Sequence, residues 1–230
     1  MSPSIHIFGD EGQGGTYLLR IHLREETELA FGRFQGGRMV TLPAGDYIYI
    51  GSALNPRGAT SLALRLLRHA TRSGERPSHP IREVLHQRWF FGNRRGDPLI
   101  LGCAWGVHPT HTPKSGINHG NPKEPQRFRE MSLGSGQLVP SKTKKPHWHV
   151  DHLLDLFDAE LVGVVAIRSP IRMEAELGHW LVTDLGTEII AAGLGANDVP
   201  GGTHVLRVVG GETWWDELPG RIKVLLAAKG

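Results

Sequence analysis

A single cysteine, Cys103, excludes any disulfide within this chain of 230 residues and any zinc site built from four cysteines. That thiol count fits a reducing compartment, and the cytoplasm is the expected location. No run approaches the roughly 18 consecutive apolar residues of a membrane span, so none is expected. Residues 1–15 lack a basic start followed by an apolar stretch, so no secretory leader is expected. Apolar residues make up only 39% of the chain and aromatic ones 7%, with three tyrosines. Glycine and proline are plentiful instead, at 30 and 15, which predicts much loop. The length still suffices for one domain with a real core.

The net charge of +3 hides an uneven distribution. Residues 71–146 hold 13 Lys and Arg against 5 Asp and Glu, while the remainder holds 13 against 18. A basic middle third suits an anionic partner, of which nucleic acid is the commonest, although a solvated basic loop has the same composition.

Alternation of Tyr17, Leu19, Ile21 and Leu23 with Leu18, Arg20 and His22 predicts a strand over 15–23. Residues 29–34 and 39–42 flank Gln35-Gly36-Gly37-Arg38, a hairpin-turn pattern. Residues 47–51 read as a further strand, broken at Asn55-Pro56-Arg57-Gly58. Residues 61–71 then read as a helix starting near Thr60 or Ser61, with Arg65 and His69 one turn apart. Residues 72–145 lack sustained periodicity and read as a loop-rich basic insertion. Within it 80–91 and 99–107 look ordered, and 108–145 is expected to be largely disordered. Val150, Leu153, Leu154 and Phe157 predict one helix face. A buried strand over 161–167, a helix over 173–185, a short strand over 203–209 and a C-terminal tail over 210–230, with a turn around Trp214-Trp215 and a terminal strand or helix within 212–229, complete the reading. The expected class is α+β, a small central antiparallel sheet flanked by helices, in one domain over 15–209.

Taken alone, the chemistry-bearing residues have ordinary explanations. Tyr47 and Tyr49 share a strand face and suit a packed aromatic stripe. Arg65 with His69 suits a solvated helix face, and Glu174 a helix surface. His147, His149, Asp151 and His152 invite a metal reading, but on a helix His149 points away from His147 and Asp151, so a hydrogen-bonding role for His147 and Asp151 fits better. Gly12-Gln13-Gly14-Gly15 precedes a strand rather than a helix, which discounts a phosphate loop.

In order along the chain, these pieces resemble the GIY-YIG nuclease superfamily. Gly15-Thr16-Tyr17 stands at its first motif, with Thr16 in place of isoleucine, and Tyr49-Ile50-Gly51 matches the second. Arg65 and His69 look like the arginine and histidine of the family's first helix. Tyr47 through Leu54, Lys145 through Asp151, Glu174 before Leu177, and Gly193 through Asp198 leading to His204 are similar to a branch sometimes fused to endonuclease III. Cysteines frequent in that branch are replaced here by Ala175, Val199 and Gly201, so any role for those thiols does not carry over. The likeness covers about 15–70 and 145–209.

The resemblance implies a three-stranded antiparallel sheet with packed helices and Mg²⁺- or Mn²⁺-dependent cleavage of DNA, with a DNA-repair partner protein. It implies Tyr17 and Tyr49 as strand tyrosines, Arg65 as phosphate clamp, His69 as base or positioning group, and Glu174 as metal ligand. An arginine fork suits charge developing on a phosphoryl centre. A carboxylate with several waters suits Mg²⁺. A tyrosine base needs a cation such as Arg65 to lower its pKa from about 10. Two other readings stay open: a nucleic-acid-binding module without catalysis, and a metal hydrolase of small substrates built on His147, His149 and Asp151.

Overall fold

Strand β2, Gly15–Leu23, is buried along nearly its whole length on both faces, the mark of a central strand with helices above and below. The computed structural model describes residues 3–9, 14–55, 61–74, 76–91, 144–195 and 202–228. Besides β2 it contains β1 (Ser4–Phe8), β3 (Thr27–Ala30), β4 (Met39–Leu42), β5 (Gly45–Ala53), α1 (Leu62–His69), α2 (Ile81–His86), α3 (His149–Leu154), β6 (Ala159–Arg168), α4 (Glu174–Val182), β7 (Thr187–Glu188), β8 (Val205–Val208) and α5 (Gly211–Ala227). The main sheet has the order β1-β6-β2-β5-β8-β7, and β3-β4 forms a separate hairpin. All pairings in the main sheet are antiparallel except β1 with β6. The class is therefore α+β with a central, mostly antiparallel sheet. The resemblance implies three strands and the sheet has six: β2, β5, β6 and β8 lie on stretches read as strands, and β1 and β7 do not.

The period of two sorts side chains into two cores. Tyr17, Leu19, Ile21, Tyr47 and Tyr49 point to one face, packed under α1, α2 and α3 with Leu66, Leu85 and Leu153. Leu18, Ile48, Ile50 and Val165 point to the other, covered by α4 and α5 with Leu177, Leu181, Trp215 and Leu218. Fully burying one such leucine is worth about 1.5–3 kcal/mol.

Several expectations need correcting. The first hairpin strand stops at Ala30 rather than Phe34. A short 3-10 turn, Phe34–Gly37, follows, with left-handed backbone at Gln35 and Gly36. The helix expected to reach Phe157 ends at Leu154, and Phe157 is 72% exposed. Asp155 ends it, its carboxylate bound by the Ser73 amide and by Arg76. The helix expected to reach Leu185 ends at Val182. Residues 72–79, read as the start of a loop-rich insertion, are partly core, with Arg72, Ser78 and His79 buried, while the order expected over 80–91 is present as α2 with Ile81 and Leu85 buried. Residues 211–227, read as a tail with a turn at Trp214-Trp215 before a terminal strand or helix, form one helix, α5, that runs through both tryptophans and closes the second core. The segment expected over 99–107, residues 108–143 of the one expected over 108–145, and Pro56, Arg57 and Gly58 of the expected break lie outside the described residues. No helix among the described residues is long and apolar enough to cross a membrane.

Candidate active site

The sheet is incomplete beside β5. Strand β8 pairs with β5 only from Asp46 to Tyr49, with one more bond from the Ile50 amide to the His204 carbonyl at 2.9 Å. Beyond that point a cleft of about 420 Å³ opens, lined by Tyr49, Ser52, Arg65, Trp148, His149 and Glu174 among others. Its size is within the range of small-ligand sites.

Each wall has a local cause. Tyr49 and Ser52 come from opposite faces of β5, so the strand end presents groups toward both helix layers. Arg65 sits on α1, four residues before His69, with its guanidinium 3.9 Å from the Trp148 ring centroid. The stack holds the cation, and no carboxylate pairs with Arg65 among the described residues. Glu174 opens α4 from the other side of the sheet. Its Oε2 accepts the Ser52 hydroxyl. His204 Nδ1 lies 3.2 Å from Oε1, near enough for ion pairing but without hydrogen-bond alignment. Arg172 Nε is 3.9 Å from Oε2. Burial pushes the Glu174 carboxyl up, but His204, Ser52 and Arg172 together hold it below the usual range, so it is ionised at neutral pH.

Tyr17 and His69 do not reach the cleft surface; both are fully buried behind Tyr49. The Tyr17 hydroxyl bonds His69 Nε2 at 2.8 Å, and His69 Nδ1 bonds Asp151 Oδ1 at 3.1 Å. Asp151 Oδ2 accepts the amides of His147 at 2.9 Å and Trp148 at 3.2 Å. Lys144 Nζ stands 3.6 Å from Asp151 Oδ1. Burial opposes the Asp151 charge, but His69, Lys144 and the His147 amide hold its carboxyl well below the usual range. Burial lowers the His69 pKa, so the imidazole is neutral. Burial raises both Tyr17 and Tyr49, more than Arg65 lowers them. The cation proposed to make a tyrosinate is present, but burial outweighs it.

Gly51 belongs to the same cluster. A Cβ there would lie 2.6 Å from the Tyr17 hydroxyl oxygen and 2.9 Å from Tyr49 Cε1, so the two tyrosines close over a residue without a side chain. Tyr47 instead bonds the Pro43 carbonyl at 2.5 Å and is packed away from the cleft.

Tyr49, Arg65 and Glu174 thus line one cleft, with Tyr17 and His69 behind it. His147, His149 and Asp151 do not gather into a ligand set. Asp151 is fully buried and occupied, and His149 Nδ1 accepts the Gly195 amide at 2.9 Å, which places its ring hydrogen on Nε2. Among the described residues no group of three or more His, Cys, Asp or Glu is arranged to hold a metal. Lys144 was not singled out by the sequence, and Arg172 carries no motif signal. Ser52 and Trp148 were present in motif strings without a role, although Ser52 directly follows Tyr49-Ile50-Gly51. Ala196, Asn197 and Asp198 lie outside the described residues.

A family model described as "Domain of unknown function DUF123" matches residues 16–224, from β2 into α5 and across every residue of the cleft. No curated protein and no solved structure matches the chain. With most of its length matched in this way, the chain belongs to the DUF123 family.

Proposed function

We propose that this chain is a metal-dependent DNA endonuclease of the GIY-YIG type, hydrolysing a phosphodiester in the cleft beside β5. One observation carries the reading. A guanidinium without a carboxylate partner among the described residues and an ionised carboxylate, from helices on opposite faces of the sheet, line the same cleft as a motif tyrosine.

The donor set fits a hard divalent ion. Glu174 is an ionised oxygen ligand, and a single carboxylate leaves the other positions to water and phosphate oxygens, as suits Mg²⁺ or Mn²⁺. Such an ion would supply Lewis-acid stabilisation of charge on the phosphoryl oxygens. Arg65 would donate to those oxygens from the other wall, held by Trp148. Ser52 and His204 orient Glu174, and Tyr49 offers a hydroxyl to the attacking water. The basic composition of 71–146 supports contact with a polyanion. The likeness to a branch sometimes fused to endonuclease III supports a role in DNA repair beside a repair protein.

The full burial of Tyr17 and His69 favours a second reading, a nucleic-acid-binding module that keeps the fold without cleavage. Nicking of branched, damaged and single-stranded DNA with Mg²⁺ or Mn²⁺ separates the two. Glu174→Ala and Arg65→Ala are each expected to lower kcat by about 10²-fold or more. Nicking that survives both substitutions refutes the site. Salt-dependent binding with no divalent-dependent cleavage supports the second reading.

A further inference from the structure

We propose that Asp151 is a positioning residue that fixes the tautomer of His69, so that His69 takes a proton relayed from the cleft through Tyr49 and Tyr17. This rests on the nuclease reading of the same site. The geometry is directional. An ionised carboxylate can only accept, so His69 Nδ1 donates to Asp151 across 3.1 Å. The Nε2 lone pair is then left to accept the Tyr17 hydroxyl at 2.8 Å. Tyr49 packs beside Tyr17, with ring centroids 6.1 Å apart, and lines the cleft.

The relay removes a difficulty that the buried tyrosines create. Neither phenol has to lose its proton to become a standing anion. As water oxygen bonds to phosphorus and the bond from phosphorus to the leaving oxygen breaks, the water proton passes to the Tyr49 oxygen. The Tyr49 proton passes to the Tyr17 oxygen, and the Tyr17 proton to His69 Nε2. The leaving oxygen takes a proton from solvent. Both tyrosines end neutral, and the charge rests on an imidazolium beside Asp151. The charged and titratable groups facing His69 are Asp151 from α3, Lys144 just before α3, Arg65 and Arg68 from its own helix, and Tyr17 and Tyr49 from the sheet.

Asp151→Asn reverses the wiring with little change of shape. The two amides of His147 and Trp148 demand an oxygen at the Oδ2 position. The new NH₂ therefore turns toward His69 Nδ1, forces the hydrogen onto Nε2, and blocks acceptance from Tyr17. Two measurements test this. Long-range ¹H–¹⁵N spectra of the wild-type chain at neutral pH should show His69 as the neutral Nδ1–H tautomer. An Nε2–H tautomer overturns the relay, whether or not the chain cuts DNA and whether or not the variant folds. In nicking assays Asp151→Asn should lose about 10⁴-fold in kcat with KM for DNA held within about twofold. A variant that keeps its kcat also overturns the relay. Absence of nicking by the wild type defeats the nuclease reading alone and leaves the spectra to decide the wiring.

Discussion

Replacing Gly51 by alanine adds one methyl group where the two motif tyrosines meet. The new Cβ would sit 2.6 Å from the Tyr17 hydroxyl oxygen, 2.7 Å from Tyr17 Cζ and 2.9 Å from Tyr49 Cε1. Non-bonded carbon atoms rest at about 3.5–4.0 Å, so the rings must retreat by about 1 Å. Tyr17 is fully buried and Tyr49 is 4% exposed, so neither has open space to enter. Overpacking of this kind costs about 1–3 kcal/mol. A retreat of that size also breaks the 2.8 Å bond from Tyr17 to His69, which adds about 1 kcal/mol. The expected destabilisation is about 2–4 kcal/mol in total. Urea unfolding followed by tryptophan fluorescence measures it, read as a midpoint shift at constant slope. Gly220→Ala is the control: Gly220 is exposed in α5 with nothing near its Cβ position, and alanine should stabilise there by up to about 1 kcal/mol. A Gly51→Ala midpoint at or above wild type would refute the packing argument and the role given to this glycine.

Three further expectations use the same unfolding assay. His69 and His79 are fully buried, and burial lowers the pKa of each below the ordinary histidine value. The unfolded chain therefore binds protons first as pH drops. The stability carried by the neutral rings is complete above about pH 6.5 and is lost below it, by up to about 1.4 kcal/mol per pH unit for each histidine. Equal midpoints at pH 7.5 and pH 5.5 would contradict this. Asp184 accepts the Trp214 indole N–H at 2.9 Å and the Gly186 amide at 2.8 Å, and pairs with Arg221. Asp184→Ala strands those donors and should cost about 2–3 kcal/mol; a loss under about 0.5 kcal/mol would show that α5 does not depend on this anchor. Leu154→Ala should cost about 2–5 kcal/mol and Phe157→Ser no more than about 0.5 kcal/mol, because only the first of the two is buried; comparable losses would mean that Phe157 packs after all.

The sequence pattern reveals strands better than it reveals what closes around them. Alternation in 15–23 and the run from Tyr47 found β2 and β5, because a period of two is local information. The leucines Leu62, Leu64, Leu66 and Leu67, with Arg65, Arg68 and His69 between them, likewise made α1 legible from local pattern. Phe157 matched the apolar spacing of its neighbours but lies past the end of α3, where Asp155 is bound by Ser73 and Arg76 from far along the chain. Only a tertiary contact sets that end. Strand β1 pairs in parallel with β6, more than 150 positions away in the numbering, and five residues carry no sign of it. Residues 72–79 look loop-like by composition but bury Arg72, Ser78 and His79, whereas the helix within 80–91 was legible in the sequence. Among site residues, Tyr49, Arg65 and Glu174 were readable from motif order. That Arg65 and His69, one turn apart on α1, divide their roles was not. Arg65 reaches the cleft, whereas His69 lies under Tyr17, and the difference depends on where Trp148 and Asp151 pack.

The stopping point of β8 ties the fold to the chemistry. Had β8 paired with β5 to its end, the strand that holds Ser52 would have been covered, and Glu174 would have met backbone instead of a cleft. Because the ladder stops at Tyr49, α4 can bring a carboxylate from one helix layer to the strand end while α1 brings a guanidinium from the other. The same geometry sets the protonation problem. Tyr49 borders the cleft and Tyr17 stands behind it; both are core residues, and burial moves both away from ionisation. A site assembled at the end of a buried strand therefore cannot use its tyrosines as standing bases. On the relay proposed above a proton from the cleft passes inward, and the hydrogen-bonded path behind Tyr17 among the described residues is His69 and Asp151.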